Sequence, residues 1–176
     1  MKTIFTFLLF LGITTLTFSQ GTLYGVRGGL NISNLDFEPD ADFSNMHRNG
    51  FFFGGFVDFM VSDSFSTQVE LQYSAEGAKE EDLRADYIQM PIMLRYTIGD
   101  SFTIGAGPMA SLKTWKNEDA FSTFTFSAVG GIEYMITDEF FVDARFSYGI
   151  TNILDEEIDG LEAKNNNIQI GFGIKI

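Results

Sequence analysis

The sequence predicts an all-β protein, an eight-stranded antiparallel transmembrane β-barrel wound as an up-and-down meander. Three observations predict it. Eight stretches alternate apolar and polar residues with period two, the mark of a strand with one apolar face. The connections between them alternate long, short, long, short, with the long ones polar and acidic. The last stretch, 167–176, puts Ile168, Ile170, Phe172, Ile174 and Ile176 on one face and Asn167, Gln169, Gly171, Gly173 and Lys175 on the other. In water such a strand would be an aggregation hazard. It makes sense if the apolar face meets lipid and the free edge pairs with the first strand.

The bulk numbers agree. The 176 residues suit one domain, and 20 Phe and 18 Gly without long helical patterns favour β structure. The formal charge of -13 has the wrong sign for a phosphate-binding partner, so nucleic acid is not expected. The chain has no Cys, which excludes disulfides, thiolate metal sites and a lipidated N-terminal cysteine.

Residues 1–19 read as a secretory signal peptide. Met1-Lys2 is a short positive start, 3–17 is apolar apart from threonines, and Thr17-Phe18-Ser19 offers small residues for cleavage. The barrel domain is then 20–176. No later stretch reaches the roughly 18 apolar residues of a spanning helix, so any membrane span must be made of strands.

Taken in order, the first strand is expected over 22–33, with Tyr24, Val26, Leu30 and Ile32 opposite Arg27 and Asn31. An acidic loop, 34–49, follows. The second strand, 50–60, carries Phe51, Phe53, Val57 and Phe59 on one face and Asp58 on the other. A tight turn at 61–64 leads to the third, 65–76, the cleanest alternation in the chain. There Thr67, Val69, Leu71 and Tyr73 alternate with Ser66, Gln68, Glu70, Gln72 and Glu76. A charged loop, 77–85, precedes the fourth strand, 86–98, whose Ile88, Met90, Ile92, Leu94 and Tyr96 oppose Gln89, Pro91, Met93 and Arg95.

After a turn at 99–101 the fifth strand is expected over 102–113 and a loop over 114–121. The sixth covers 122–136, with Phe124, Phe126, Ile132 and Tyr134 opposite Glu133. The seventh, 140–151, sets Val142, Phe146 and Tyr148 against Asp143 and Arg145. The last loop, 152–166, holds Asp155, Glu156, Glu157, Asp159 and Glu162, and 167–176 closes the barrel. Short turns at one end and longer loops at the other are the asymmetry of outer-membrane barrels, whose short turns are periplasmic. A strand of about 11 residues rises roughly 36 Å and, tilted, covers the apolar band of about 25 Å.

Two stretches carry a family resemblance. Tyr87-Ile88-Gln89-Met90-Pro91-Ile92-Met93-Leu94-Arg95-Tyr96 and Gly105-Ala106-Gly107-Pro108 resemble paired motifs of the PorT-like outer-membrane β-barrel family of small Gram-negative surface proteins. The resemblance covers the mature chain and implies the fold and an outer-membrane location. Gln169, Gly171, Ile174 and Ile176 resemble the C-terminal assembly signal of such barrels, although an aromatic residue often stands last. That implies recognition by the barrel-assembly machinery.

By parity the inward face collects Asp58, Glu70, Glu76, Glu133 and Asp143 with Arg27, Arg95, Lys113, Arg145 and Lys175. An eight-stranded interior is just filled by side chains, and charges persist there only when paired and hydrogen-bonded. A salt-bridged plug is therefore expected, with a structural or surface-interaction role. A narrow gated pore is the alternative, since membrane-depth charges also mark pathways. An outer-membrane lipid-modifying enzyme is the remote one. The sole His, His47, lies near Ser44 in the first loop, but no G-x-S-x-G appears and sequence adjacency makes no triad. The 155–160 stretch lacks the ligand order of a calcium loop, so no metal or other cofactor is expected. The expected partners are outer-membrane lipids, the assembly machinery and a surface partner for the acidic loops; Trp115 is expected in the interfacial belt, with an anchor for such a partner as the alternative. A monomer is expected.

Overall fold

The computed structural model describes residues 21–38, 46–80, 83–114, 122–154 and 162–176. Eight strands form one closed barrel in chain order: β1 (Gly21–Glu38), β2 (Arg48–Met60), β3 (Phe65–Gly77), β4 (Arg84–Ile98), β5 (Phe102–Lys113), β6 (Phe124–Met135), β7 (Phe140–Gly149) and β8 (Glu162–Lys175). Every neighbouring pair is antiparallel, and β1 pairs with β8 to close the sheet. No strand edge remains open, which removes the hazard of the apolar terminal strand.

The registers set the barrel's shape. Stepping partner by partner from Thr22 through Phe59, Thr67, Leu94, Ala106, Gly130, Phe146 and Ile168, the path re-enters β1 at Ile32, a stagger of ten residues. Ten residues of about 3.3 Å, spread over eight strands about 4.8 Å apart, tilt the strands by about 40°. All stations on this path face outward.

The two faces separate by chemistry. Leu30, Leu71, Leu94, Ile132, Phe146, Ile170 and Phe172 are among the many large apolar side chains exposed on the outside. Arg27, Asp58, Gln68, Glu70, Gln72, Gln89, Arg95, Glu133, Asp143 and Arg145 are all buried inside. This is the inverse of a water-soluble barrel and matches strands that face lipid and enclose a polar lumen.

Several strand ends differ from the sequence expectation. β1 runs past Ser33 to Glu38, and β8 starts at Glu162, well before Asn167, so that 34–38 pairs with 162–166. The reason is packing. Leu35, Phe37 and Ala163 turn inward and form an apolar cluster with Ala78, Ile153 and Leu154, flanked by Leu83. Acidic neighbours on the outer face (Asp36, Glu38 and Glu162) give this extension the composition of a loop. β4 starts earlier than expected, at Arg84, while β6 and β7 end sooner, at Met135 and Gly149. The short connections 61–64, 99–101 and 136–139 lie at the end opposite this cluster. Residues 1–19, Trp115 and the acidic run 155–160 lie outside the described residues.

Candidate functional site

The lumen is where the chain concentrates chemistry, and glycine makes room for it. Each inward arginine has an inward glycine beside it in the register. Arg27 pairs with Gly54 on one side and Gly173 on the other, Arg95 with Gly105, and Arg145 with Gly131. A Cβ on Gly131 would fall 2.7 Å from the Arg145 side chain, and one on Gly105 would fall 3.1 Å from that of Arg95. At Gly105 and Gly131 the absent side chain leaves the space that the arginine stem crosses, whereas at Gly54 and Gly173 a Cβ would meet Gln72 and Phe141. Sequence parity marks the charges, but this pairing of Arg with Gly appears only once the register is known.

Two four-membered charge clusters result. In the one nearer the short turns, Arg95 reaches Asp58 and Glu133, both at 2.6 Å, and Lys175 reaches Glu133 at 2.7 Å and Asp58 at 3.8 Å. In the other, Arg27 bridges Asp143 and Glu70, and Arg145 reaches Glu70 at 2.7 Å and Asp143 at 3.8 Å. Each cluster holds two cations and two anions and is neutral. The pairs are strongly desolvated, so their value depends on complete hydrogen bonding. Arg27 illustrates this, since it also donates to the Gln72 and Gln169 side-chain oxygens and stacks 4.2 Å over the Phe52 ring. Lys175 sits over the Phe141 ring, and Phe141 packs edge-on to Phe56.

Eight of the ten residues expected in the charge network make up these two clusters, and the other two, Lys113 and Glu76, sit nearer the loop end. Lys113 is half-buried at the loop end of β5, opposite Tyr87. Glu76 is buried, but its side-chain hydrogen-bond partners among the described residues are neutral: Ser74, Gln89, Asn165 and Asn167. Strict pairing of every inward carboxylate with a cation therefore does not hold at Glu76. Amide side chains do the work there, and those amides, Asn31 included, were not singled out from the sequence.

The lumen is layered along its axis. At the short-turn end a mouth of about 340 Å³ is lined by Asp58, Arg95, Glu133, Asp138, Glu139 and Lys175, among others. Above it come the two charge clusters, and between them a gap of about 10 Å³ touching Gln68, Arg95, Glu133, Asp143 and Arg145. A second gap of about 10 Å³ lies beside Gln72, Arg145, Ser147 and Gln169. Each is about the size of one water. The Gln68 amide has no hydrogen-bond partner on either atom among the described residues, and a water in the first gap would satisfy it. The amide cluster around Glu76 follows, then the apolar cluster of Leu35, Phe37, Ile153 and Ala163.

The resemblance motifs fall inside this arrangement. Tyr87, Gln89, Pro91, Met93 and Arg95 share the buried face of β4, and Gly105 and Gly107 lie across from them on β5. A Cβ on Gly107 would collide with the Ile92 carbonyl. The spacing of these motifs is the packing of one lumen wall. Of the C-terminal set, Gln169 and Gly171 face inward, where Gln169 accepts from Arg27 and Gly171 lies against Asp143. Ile174 and Ile176 belong to the outer face, and Ile176 exchanges two main-chain bonds with Tyr24 of β1. His47 is exposed and forms an isolated bridge with Ala78. A rim cluster not expected from the sequence joins Arg48 and Tyr73 to Asp86 at 3.0 and 2.8 Å.

The family described as "Outer membrane protein beta-barrel domain" matches residues 4–175. The chain belongs to that family. This outer-membrane barrel is similar in fold to Neisserial surface protein A, at a TM-score of 0.57 and 12% identity over 89% of this chain and 100% of that one. It is also similar to Ail, the attachment invasion locus protein of Yersinia pestis, at a TM-score of 0.53 and 12% identity with the same coverage. At such identity the likeness is one of fold. Among curated proteins, none matches the sequence. The protein is a small barrel of the outer membrane, with an apolar wall toward lipid and a polar lumen.

Proposed function

We propose that this outer-membrane barrel is a closed, non-conducting one with a structural or surface-interaction role. The observation that carries the reading is the layered lumen. Two neutral charge clusters, an amide cluster and an apolar cluster follow one another along the axis, and the two gaps described hold about 10 Å³ each. A hydrated ion does not pass a gap of one water. The 340 Å³ mouth lies at the short-turn end, which is the periplasmic side of such barrels.

Outer-membrane lipids are the partner of the exposed apolar belt. The assembly machinery would read the strand that carries Gln169, Gly171, Ile174 and Ile176. The acidic connections at the other end would present the surface for an external partner. Closure of β1 on β8 leaves no edge for strand exchange, which supports a monomer. The exposed position of His47 on a strand rim supports a non-enzymatic role. Within the family, the lumen wall built from Tyr87, Pro91, Arg95, Gly105 and Gly107 supports the PorT-like assignment.

Planar-bilayer recording tests the closed lumen. The purified barrel should insert without discrete current steps. Regular, voltage-stable steps from the wild-type protein would favour a narrow pore, opened by exchange of partners between the two charge clusters.

A further inference from the structure

Glu76 breaks the pattern that the other four inward carboxylates follow. Each of those touches a lysine or arginine. Glu76 is 1% exposed and accepts from Ser74 Oγ at 2.6 Å, Gln89 Nε2 at 3.0 Å, Asn167 Nδ2 at 2.7 Å and Asn165 Nδ2. Arg48 donates to the Glu76 main-chain carbonyl, and its charge is matched by Asp86. A buried carboxylate surrounded by neutral donors still lacks a compensating charge.

A second, independent observation lies around it. The side-chain oxygens of Asn31, Asn165 and Asn167 and the Tyr87 hydroxyl are buried and have no hydrogen-bond partner among the described residues. All four side chains are more than nine-tenths buried. Asn31 donates to Ser74, which itself bonds Glu76, and Tyr87 stands opposite Ser74 in the β3–β4 ladder. Each such orphaned oxygen destabilises the fold if nothing meets it. Three of them are pure acceptors, so among the described residues the site has more oxygen than donors to meet it. The Asn165 and Asn167 amides, turned by half a rotation, present oxygen where their nitrogens donate to Glu76, while Asn31 keeps its orientation, its nitrogen donating to the Phe51 and Ala75 carbonyls.

We propose that this basket binds one alkali-metal cation. Glu76 supplies the charge, and the amide oxygens of Asn31, Asn165 and Asn167 and the Tyr87 hydroxyl supply neutral ligands. An all-oxygen set suits a hard cation. A single carboxylate matches a single charge, whereas a divalent ion would leave a net charge buried. Leu35, Phe37 and Ile153 cover the basket on the loop side, and Gln72 donating to Gln89 ties it to the charge clusters below. The ion is thus occluded and structural, taken up as the barrel closes, and the site is independent of whether the lumen conducts.

The test is refolding from urea into lipid vesicles at constant ionic strength in sodium, potassium or choline chloride. Choline serves as the inert cation, because its methyl groups keep oxygen ligands from reaching the charge. Sodium or potassium should raise the wild-type urea midpoint above that in choline, with saturation. Glu76→Gln should fold and lose that dependence. Asn167→Leu should keep it but need about tenfold more cation for half the effect. Equal midpoints in all three salts would overturn the proposal, as would an unchanged cation dependence in Glu76→Gln. An infrared carboxylic-acid band at neutral pH, present in the wild type and missing in Glu76→Gln, would overturn it by placing a proton where the cation belongs.

Discussion

Arg95 holds two carboxylates on two different strands, Asp58 on β2 and Glu133 on β6. Replacing it with alanine leaves Lys175 as the remaining cation against both. Arg95→Ala is expected to cost about 3–5 kcal/mol in urea unfolding from vesicles, the range for a broken buried pair. A loss under about 1 kcal/mol would mean that water solvates the cluster. The glycine beside an arginine is the complementary probe. At position 131 a Cβ would meet both the Ala144 carbonyl and the Arg145 side chain. Gly131→Val should therefore destabilise by about 1–3 kcal/mol, the range for overpacking. Gly130→Ala, on the outer face and nearly free of contacts, should be close to neutral in the same assay. At this scale the charges were legible from parity alone. Parity also put Gly171 and Gly173 on the inward face, but the pairing of glycine with arginine was not legible, because the partners of each arginine depend on registers that no single strand encodes.

The strands were legible wherever one face was purely apolar, and their ends were not. In β1, Asp36 and Glu38 lie on the outer face above the apolar belt, so that acidic composition hides the inward alternation of Ser33, Leu35 and Phe37. The same holds in β8 for Glu162 and Lys164 around Ala163. This extension is held by its apolar cluster, so Leu35→Asp should melt it without unfolding the barrel below. Hydrogen exchange would report that as lost protection over 34–38 and 162–166, with protection in 26–32 retained. Closure depends on the other end of the same pair. Tyr24 and Ile176 exchange main-chain bonds of 2.7 and 2.8 Å, and deleting 174–176 removes these together with the Val26–Ile174 pairing. The folded, heat-modifiable band on unboiled gels should then fall sharply, since bare strand ends are costly in lipid. Normal levels of that band would show that closure tolerates a shortened β8.

At the scale of the whole molecule, the fold and the outer-membrane location follow from one pattern repeated eight times, apolar outward and polar inward. The central claim is that this pattern has been assigned to the correct sides. Leu94 and Arg95 are adjacent and have opposite surroundings: Leu94 is 70% exposed on the outer wall and Arg95 is 4% exposed in the lumen. The chain has no cysteine, so Leu94→Cys gives a single labelling site. A fluorophore attached there, in vesicles, can be challenged with nitroxides on lipid acyl chains and with a water-soluble nitroxide. Strong quenching by the lipid-borne nitroxide, with little by the soluble one, is the predicted result. Quenching by the soluble nitroxide alone would place Leu94 in water or in the lumen and contradict the assignment of the two faces.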